Sequence, residues 1–104
     1  MALWAAISVT AAQTATVIGT GTRSCGEWTD DQRHGVLLPD EAWLAGYLSG
    51  YSVYSIDGIN VTKGLDPGAR DGWVSNYCLN HPLDPIWMAA DQLIVELKRQ
   101  ASQH

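Results

Sequence analysis

The chain has 104 residues, 46% apolar and only 16% charged, a charge fraction well below the roughly 25% of ordinary soluble proteins. So much apolar material excludes a disordered chain and fits one small domain. Eleven acidic against six basic residues leave a net charge of −5. Six scattered cations cannot neutralise a run of phosphates, so nucleic-acid binding is excluded. A chain of this size buries only roughly 60–65% of its unfolded surface, so a covalent staple would matter to its stability.

Residues 1–15, MALWAAISVTAAQTA, carry no charge. The stretch is too short to span a bilayer, which needs about 20 apolar residues. It reads as a truncated secretory signal peptide, or else as a flexible, disordered leader. Small residues stand at the right offsets for cleavage after Ala11, Ala12 or Ala15, but the first cation is Arg23, so the usual basic start is missing. No other segment is long and apolar enough to enter a membrane, and no membrane span is expected.

Cys25 and Cys78 are the only cysteines. In an oxidising compartment such a pair reads as one disulfide, worth about 4 kcal/mol in the chain-entropy model. The alternative is two buried free thiols in a reducing compartment. There is no CxxC pair and no Cys/His cluster at ligand spacing, so no metal and no cofactor is expected.

The helix signals follow in chain order. Ser24-Cys25-Gly26-Glu27 matches a capping box, which starts a first helix that carries Trp28 and ends near Arg33, before Gly35. Leu37 and Leu38 in the connection are expected to tuck under the core. Asp40 is the N-cap candidate for a second helix from Glu41 to about Ser52, with Trp43, Leu44, Tyr47, Leu48 and Tyr51 as its apolar stripe. Gly46 and Gly50 on its other side each cost about 1 kcal/mol inside a helix, so a close crossing by another helix is expected there. Residues 53–65 read as an irregular loop, the alternative being a short hairpin around Asp57-Gly58. They include the glycosylation sequon Asn60-Val61-Thr62.

Asp66-Pro67 starts a third helix, carrying Trp73, Val74, Tyr77 and Cys78 and ending at Asn80. Asp84-Pro85 repeats the signal for a fourth, with Leu83 and Met88 at hydrophobic-staple spacing. Ile86, Ala90, Leu93, Ile94 and Leu97 form its apolar stripe, and it runs to about Gln100. Five Trp and four Tyr with no Phe make an odd aromatic set, and those within helices are expected at the core or its edge. One all-α domain over residues 24–100 results.

Three segments then form a recurring arrangement: Ser24-Cys25-Gly26-x-Trp28, Trp43-Leu44-x-Gly46-Tyr47-Leu48-Ser49-Gly50, and Trp73-x-x-x-Tyr77-Cys78-x-x-x-Pro82-Leu83-Asp84. The arrangement resembles small exported bacterial proteins of the HdeA-like superfamily. Within it, the chain is most similar to the Rap/Tai group of type VI secretion immunity proteins and their relatives. The resemblance covers about residues 24–98. It implies an all-α bundle of four short helices stapled by a Cys25–Cys78 disulfide, a periplasmic or secreted location, and work done by binding. The implied partner is another protein, a secreted effector for an immunity protein, and a homodimer is also open. Contact surfaces differ among immunity proteins, so only the cysteine pair carries over. The alternative is an acid-stress periplasmic chaperone of the HdeA type, but those are lysine-rich with charged ends, and this chain has two lysines.

Nothing in the sequence rises to an enzyme. Cys25 with His34 or His81 as base makes a nucleophile only if the thiol is free. Asp30-Asp31 and Asp40-Glu41 read as solvated helix ends, and Gly19-Thr20-Gly21 lacks the context of a phosphate loop. Recognition is expected instead on the loop after the second helix, through Tyr54, Ile56, Asp57 and Ile59, because loops on a rigid scaffold often carry binding.

Overall fold

The protein is described from a computed structural model over residues 15–103. The leader reading for residues 1–15 therefore lies almost wholly outside the described residues. A 3-10 turn, Gly19–Thr22, precedes four helices: α1 Cys25–Arg33, α2 Leu38–Tyr54, α3 Pro67–Asn80 and α4 Ile86–Ala101. No strand forms among the described residues, so the segment after α2 is a loop and not a hairpin.

A disulfide joins Cys25 at the first turn of α1 to Cys78 in the last turn of α3, with Cα atoms 4.6 Å apart. The backbone reinforces this join. The first N–H groups of a helix have no partner within it. Here those of Cys25 and Gly26 donate to the carbonyls of Asp84 (2.7 Å) and Pro82 (2.9 Å), while Ile86 N–H donates to Arg23 O (2.8 Å). The starts of α1 and α4 thus satisfy each other across the α3–α4 connection. The capping box is fully formed: Glu27 N–H donates to the Ser24 hydroxyl, and Ser24 N–H to the Glu27 carboxylate.

Around the disulfide the core gathers Trp28 from α1, Leu44 and Leu48 from α2, Val74 from α3, and Ile86, Ala89, Ala90, Leu93 and Ile94 from α4. Trp28 is wholly buried, and its indole N–H donates to the Ser75 hydroxyl at 2.9 Å. Trp43, Tyr47, Tyr51, Trp73 and Tyr77 pack half-buried against this cluster, as their helical spacing predicts.

Several local expectations are corrected. First, α2 begins at Leu38, with Leu37 at the cap position and Pro39 in the first turn, so Asp40 is not its cap. Proline is at home in a first helical turn, where its missing N–H needs no partner, and this draws the helix three residues upstream. Second, Leu37 packs on the core but Leu38 is exposed. Third, Leu83 is also exposed, so no staple to Met88 forms. Asp84 does not cap α4 either: its carboxylate accepts from the Tyr77 hydroxyl at 2.7 Å.

A further correction concerns the glycines. Nothing lies within 4 Å of a β-carbon placed at Gly46 or Gly50, so no helix crosses there. The close approach lies elsewhere. The 3-10 turn crosses α2 with Gly21 pressed against the ring of Trp43, whose indole N–H donates to Ile18 O at 3.0 Å.

Candidate functional site

At the C-terminal end of α2 the core stripe runs out, and the chain turns outward with its apolar side chains uncovered. Val53, Tyr54 and Ile56 are exposed, Tyr54 at 85%. Tyr51, Tyr54, Ser55, Ile56 and Asp57 line an open, mainly apolar hollow of about 500 Å³. Monomeric proteins scatter single apolar residues over their surface, whereas clustered ones mark contact surfaces.

The loop beneath the patch is braced. Asp57 is its centre: one carboxylate oxygen accepts the Ile59 N–H at 3.0 Å, and the other meets the Tyr51 hydroxyl at 3.1 Å and Lys98 Nζ at 2.5 Å. The Lys98 ammonium, with the Ile59 N–H behind it, holds the Asp57 carboxyl well below the usual carboxylate range. Lys98 itself is raised by Asp57. This clamp binds the loop to both α2 and α4. Gly58 takes φ +71°, the left-handed conformation that suits glycine in such a turn. Further along, Val61 inserts into the core and its N–H donates to the Ser52 hydroxyl at 3.1 Å. The sequon residue Asn60 is exposed, its side-chain oxygen accepting from Thr62 N–H and hydroxyl.

Of the four residues that the sequence singles out, the fold brings Tyr54, Ile56 and Asp57 together at one surface. Ile59 turns inward and packs half-buried against the core. Tyr54 and Ile56 present apolar area, and Asp57 fixes the loop that carries them.

A second cluster, invisible in the sequence reading, lies at the other end of α2. Asp40 is completely buried, and neither of its carboxylate oxygens has a hydrogen-bond partner. This corrects its reading as a solvated helix end. Arg23 Nη1 lies 2.6 Å from Asp31 and 3.6 Å from Asp40, while its Nε holds Glu27 at 3.1 Å. Burial pushes the Asp40 carboxyl up to about 7, the adjoining Asp31 adding to the rise and Arg23 opposing it. Asp31 is lowered, chiefly by Arg23, with the adjoining Asp40 adding to the fall. Its neighbour Asp30 is solvated as expected. The signal that locates Asp40 is Pro39: placed in the first turn, it puts Asp40 at the third helical position, facing α1.

The remaining chemistry-bearing groups are spread out. Cys25 has no thiol, being bonded to Cys78. His81 stacks on Tyr77 at 4.2 Å between ring centres, and His34 pairs with Asp30 on the surface. Among the described residues, no helix is long and apolar enough to cross a membrane. Comparison of the chain with family models, with curated proteins and with solved structures found no match.

Proposed function

We propose that this protein is a small exported binding module, periplasmic where the source has two membranes, which works by docking the end of α2 and the loop after it onto another protein. The observation that carries this reading is the uncovered cluster of Val53 and Tyr54 in the last turn of α2 with Ile56 on the loop that Asp57 clamps to Lys98. An exposed aromatic with aliphatic neighbours has the composition of an interface hot spot, and a rigid loop loses little conformational freedom on binding. The buried disulfide supports an exported location, because such bonds persist in oxidising compartments. The resemblance to HdeA-like immunity proteins supports an inhibitor-like role toward a secreted effector. The net charge of −5 favours a partner with a basic face, since complementary charge speeds encounter.

The acid-stress chaperone is the weaker alternative. Such proteins are lysine-rich with charged ends, whereas this chain has two lysines.

The experiment is capture from periplasmic extract on immobilised protein, followed by identification of what is bound. The binding reading expects a partner retained by the wild type and lost from a Tyr54→Ser/Ile56→Ser variant that melts at the same temperature. A partner retained equally by both proteins would move the contact to another face.

A further inference from the structure

We infer that Asp31 and Asp40 share a single proton beneath Arg23, and that releasing it loosens the 3-10 turn from α2, so the junction is a latch that holds in acid and slackens in alkali.

The inference starts from the unmet needs of a buried group. An ionised carboxylate with no donor, withdrawn from water, is strongly disfavoured unless it is paired. Asp40 has no donor, and the nearest cation stands 3.6 Å off, beyond hydrogen-bond length, because that nitrogen is already spent on Asp31 at 2.6 Å. A proton on Asp40 resolves this: Asp40 then donates to Asp31, and Asp31 remains ionised on Arg23. The trio is neutral. Two carboxylates crowded together do not both ionise readily, and one keeps its proton. Once that proton leaves, two negative charges face one guanidinium that also serves Glu27. The charged groups acting on Asp40 are Asp31 and Glu27 from α1 and Arg23 from the segment before it, and His34 acts in turn on Asp31.

The turn is the part that yields. Arg23 follows it directly and is the only cation in the cluster. Beyond that, the turn is held to α2 by one hydrogen bond, from Trp43 to Ile18 O, and by the contact of Gly21 with the same ring. The newly charged Asp40 needs water, and water reaches it when the turn lifts. The disulfide and the backbone bonds of Cys25, Gly26 and Ile86 keep the rest of the bundle closed. This latch does not depend on the binding role proposed above.

The test is a carbon-detected NMR titration of the wild-type side-chain carboxyls, with Asp40 assigned by its loss in Asp40→Asn. The Trp43 indole N–H protection factor is followed over the same pH range. The expected result is a midpoint of about 7 for Asp40. Trp43 protection should fall by tenfold or more across that step in the wild type and stay constant in Asp40→Asn. An Asp40 midpoint near the ordinary value of about 4 overturns the shared proton. A Trp43 protection factor that does not change through the step overturns the latch. Should Asp40→Asn fail to fold, the carboxyl can be assigned through bonds in the wild type, and both wild-type readouts still decide.

Discussion

The ring of Trp43 lies against Gly21 so closely that a β-carbon on the glycine would overlap it. Gly21→Ala must therefore push the turn off α2 or tilt the indole away from Ile18 O. A loss of about 1–3 kcal/mol is expected, the usual range for overpacking. Gly46→Ala and Gly50→Ala meet open space inside a helix, so each should stabilise by up to about 1 kcal/mol. Urea unfolding of the three variants checks the contrast. Equal midpoints for Gly21→Ala and the wild type would mean that the turn is not seated on Trp43.

The buried pair Trp28 and Ser75 makes a second test. The hydroxyl of Ser75 is the hydrogen-bond partner of a fully buried indole N–H. Removing it leaves the donor unmet in the core, at a cost of about 1–3 kcal/mol. Ser75→Ala should lower the melting temperature by several degrees while far-ultraviolet circular dichroism stays helical. No change would place a water where the hydroxyl was.

The disulfide spans a sequence separation of 53 residues. In the chain-entropy model, closing such a loop contributes about 4 kcal/mol. The intact mass should rise by about two protons on reduction under unfolding conditions. Cys25→Ala/Cys78→Ala should lose most of that stabilisation in a denaturant titration. A double variant as stable as the wild type would mean that packing around Trp28 alone holds α1 on α3.

Stability should depend on pH with opposite slopes from two sets of carboxylates. Asp57, Asp31 and Glu96 have lowered values, Glu96 to about 2 beside Arg99. Their contribution is present above the unfolded carboxylate range of about 4 and is lost as pH falls toward the folded values. Asp40 is raised to about 7. The folded state then binds more protons than the unfolded one between about 4 and about 7, so its contribution is complete below that window and is lost as pH climbs through it. The two trends place the optimum at about pH 4–5, on the acid side of neutrality. Urea midpoints at acidic, near-neutral and alkaline pH measure it. Asp40→Asn should flatten the alkaline limb.

Much of the bundle is legible in the sequence because helix ends carry local chemistry. Ser24 with Glu27 and Asp66 before Pro67 fix the starts of α1 and α3 through bonds within three residues. The apolar stripes of α2 and α4 then place Leu44, Leu48, Leu93 and Ile94 in the core. What is not legible depends on contacts between distant residues. Gly21 and Trp43 are 22 positions apart, and nothing local reveals that the turn crosses α2 there and leaves Gly46 bare. Asp40 reads as a cap because its neighbours are polar. It becomes a buried acid only when α1 brings Asp31 and Arg23 over it. In the loop, exposure could not be read residue by residue, since alternating apolar positions do not say which side the core lies on until Val61 is seen entering it.

The loop itself gives the last prediction, because its apolar residues divide between two roles. Tyr54 and Ile56 are exposed, so replacing either with Ser removes no packing and should leave the melting temperature within a degree or two. Ile59 packs half-buried on the core cluster, so Ile59→Ser should destabilise by about 1–3 kcal/mol. Asp57→Asn is different again. It weakens the ion pair to Lys98 and the bond from Ile59 N–H, so amide exchange over residues 55–60 should accelerate while global stability changes little at neutral pH. Against a captured partner, Tyr54→Ser and Ile56→Ser should each weaken binding tenfold or more, mainly through faster dissociation. Asp57→Asn should weaken it less, by letting the patch move before it docks. If Ile59→Ser alone abolished binding while remaining as stable as the wild type, the contact surface would lie on the inner side of the loop, and the exposed patch would have no part in recognition.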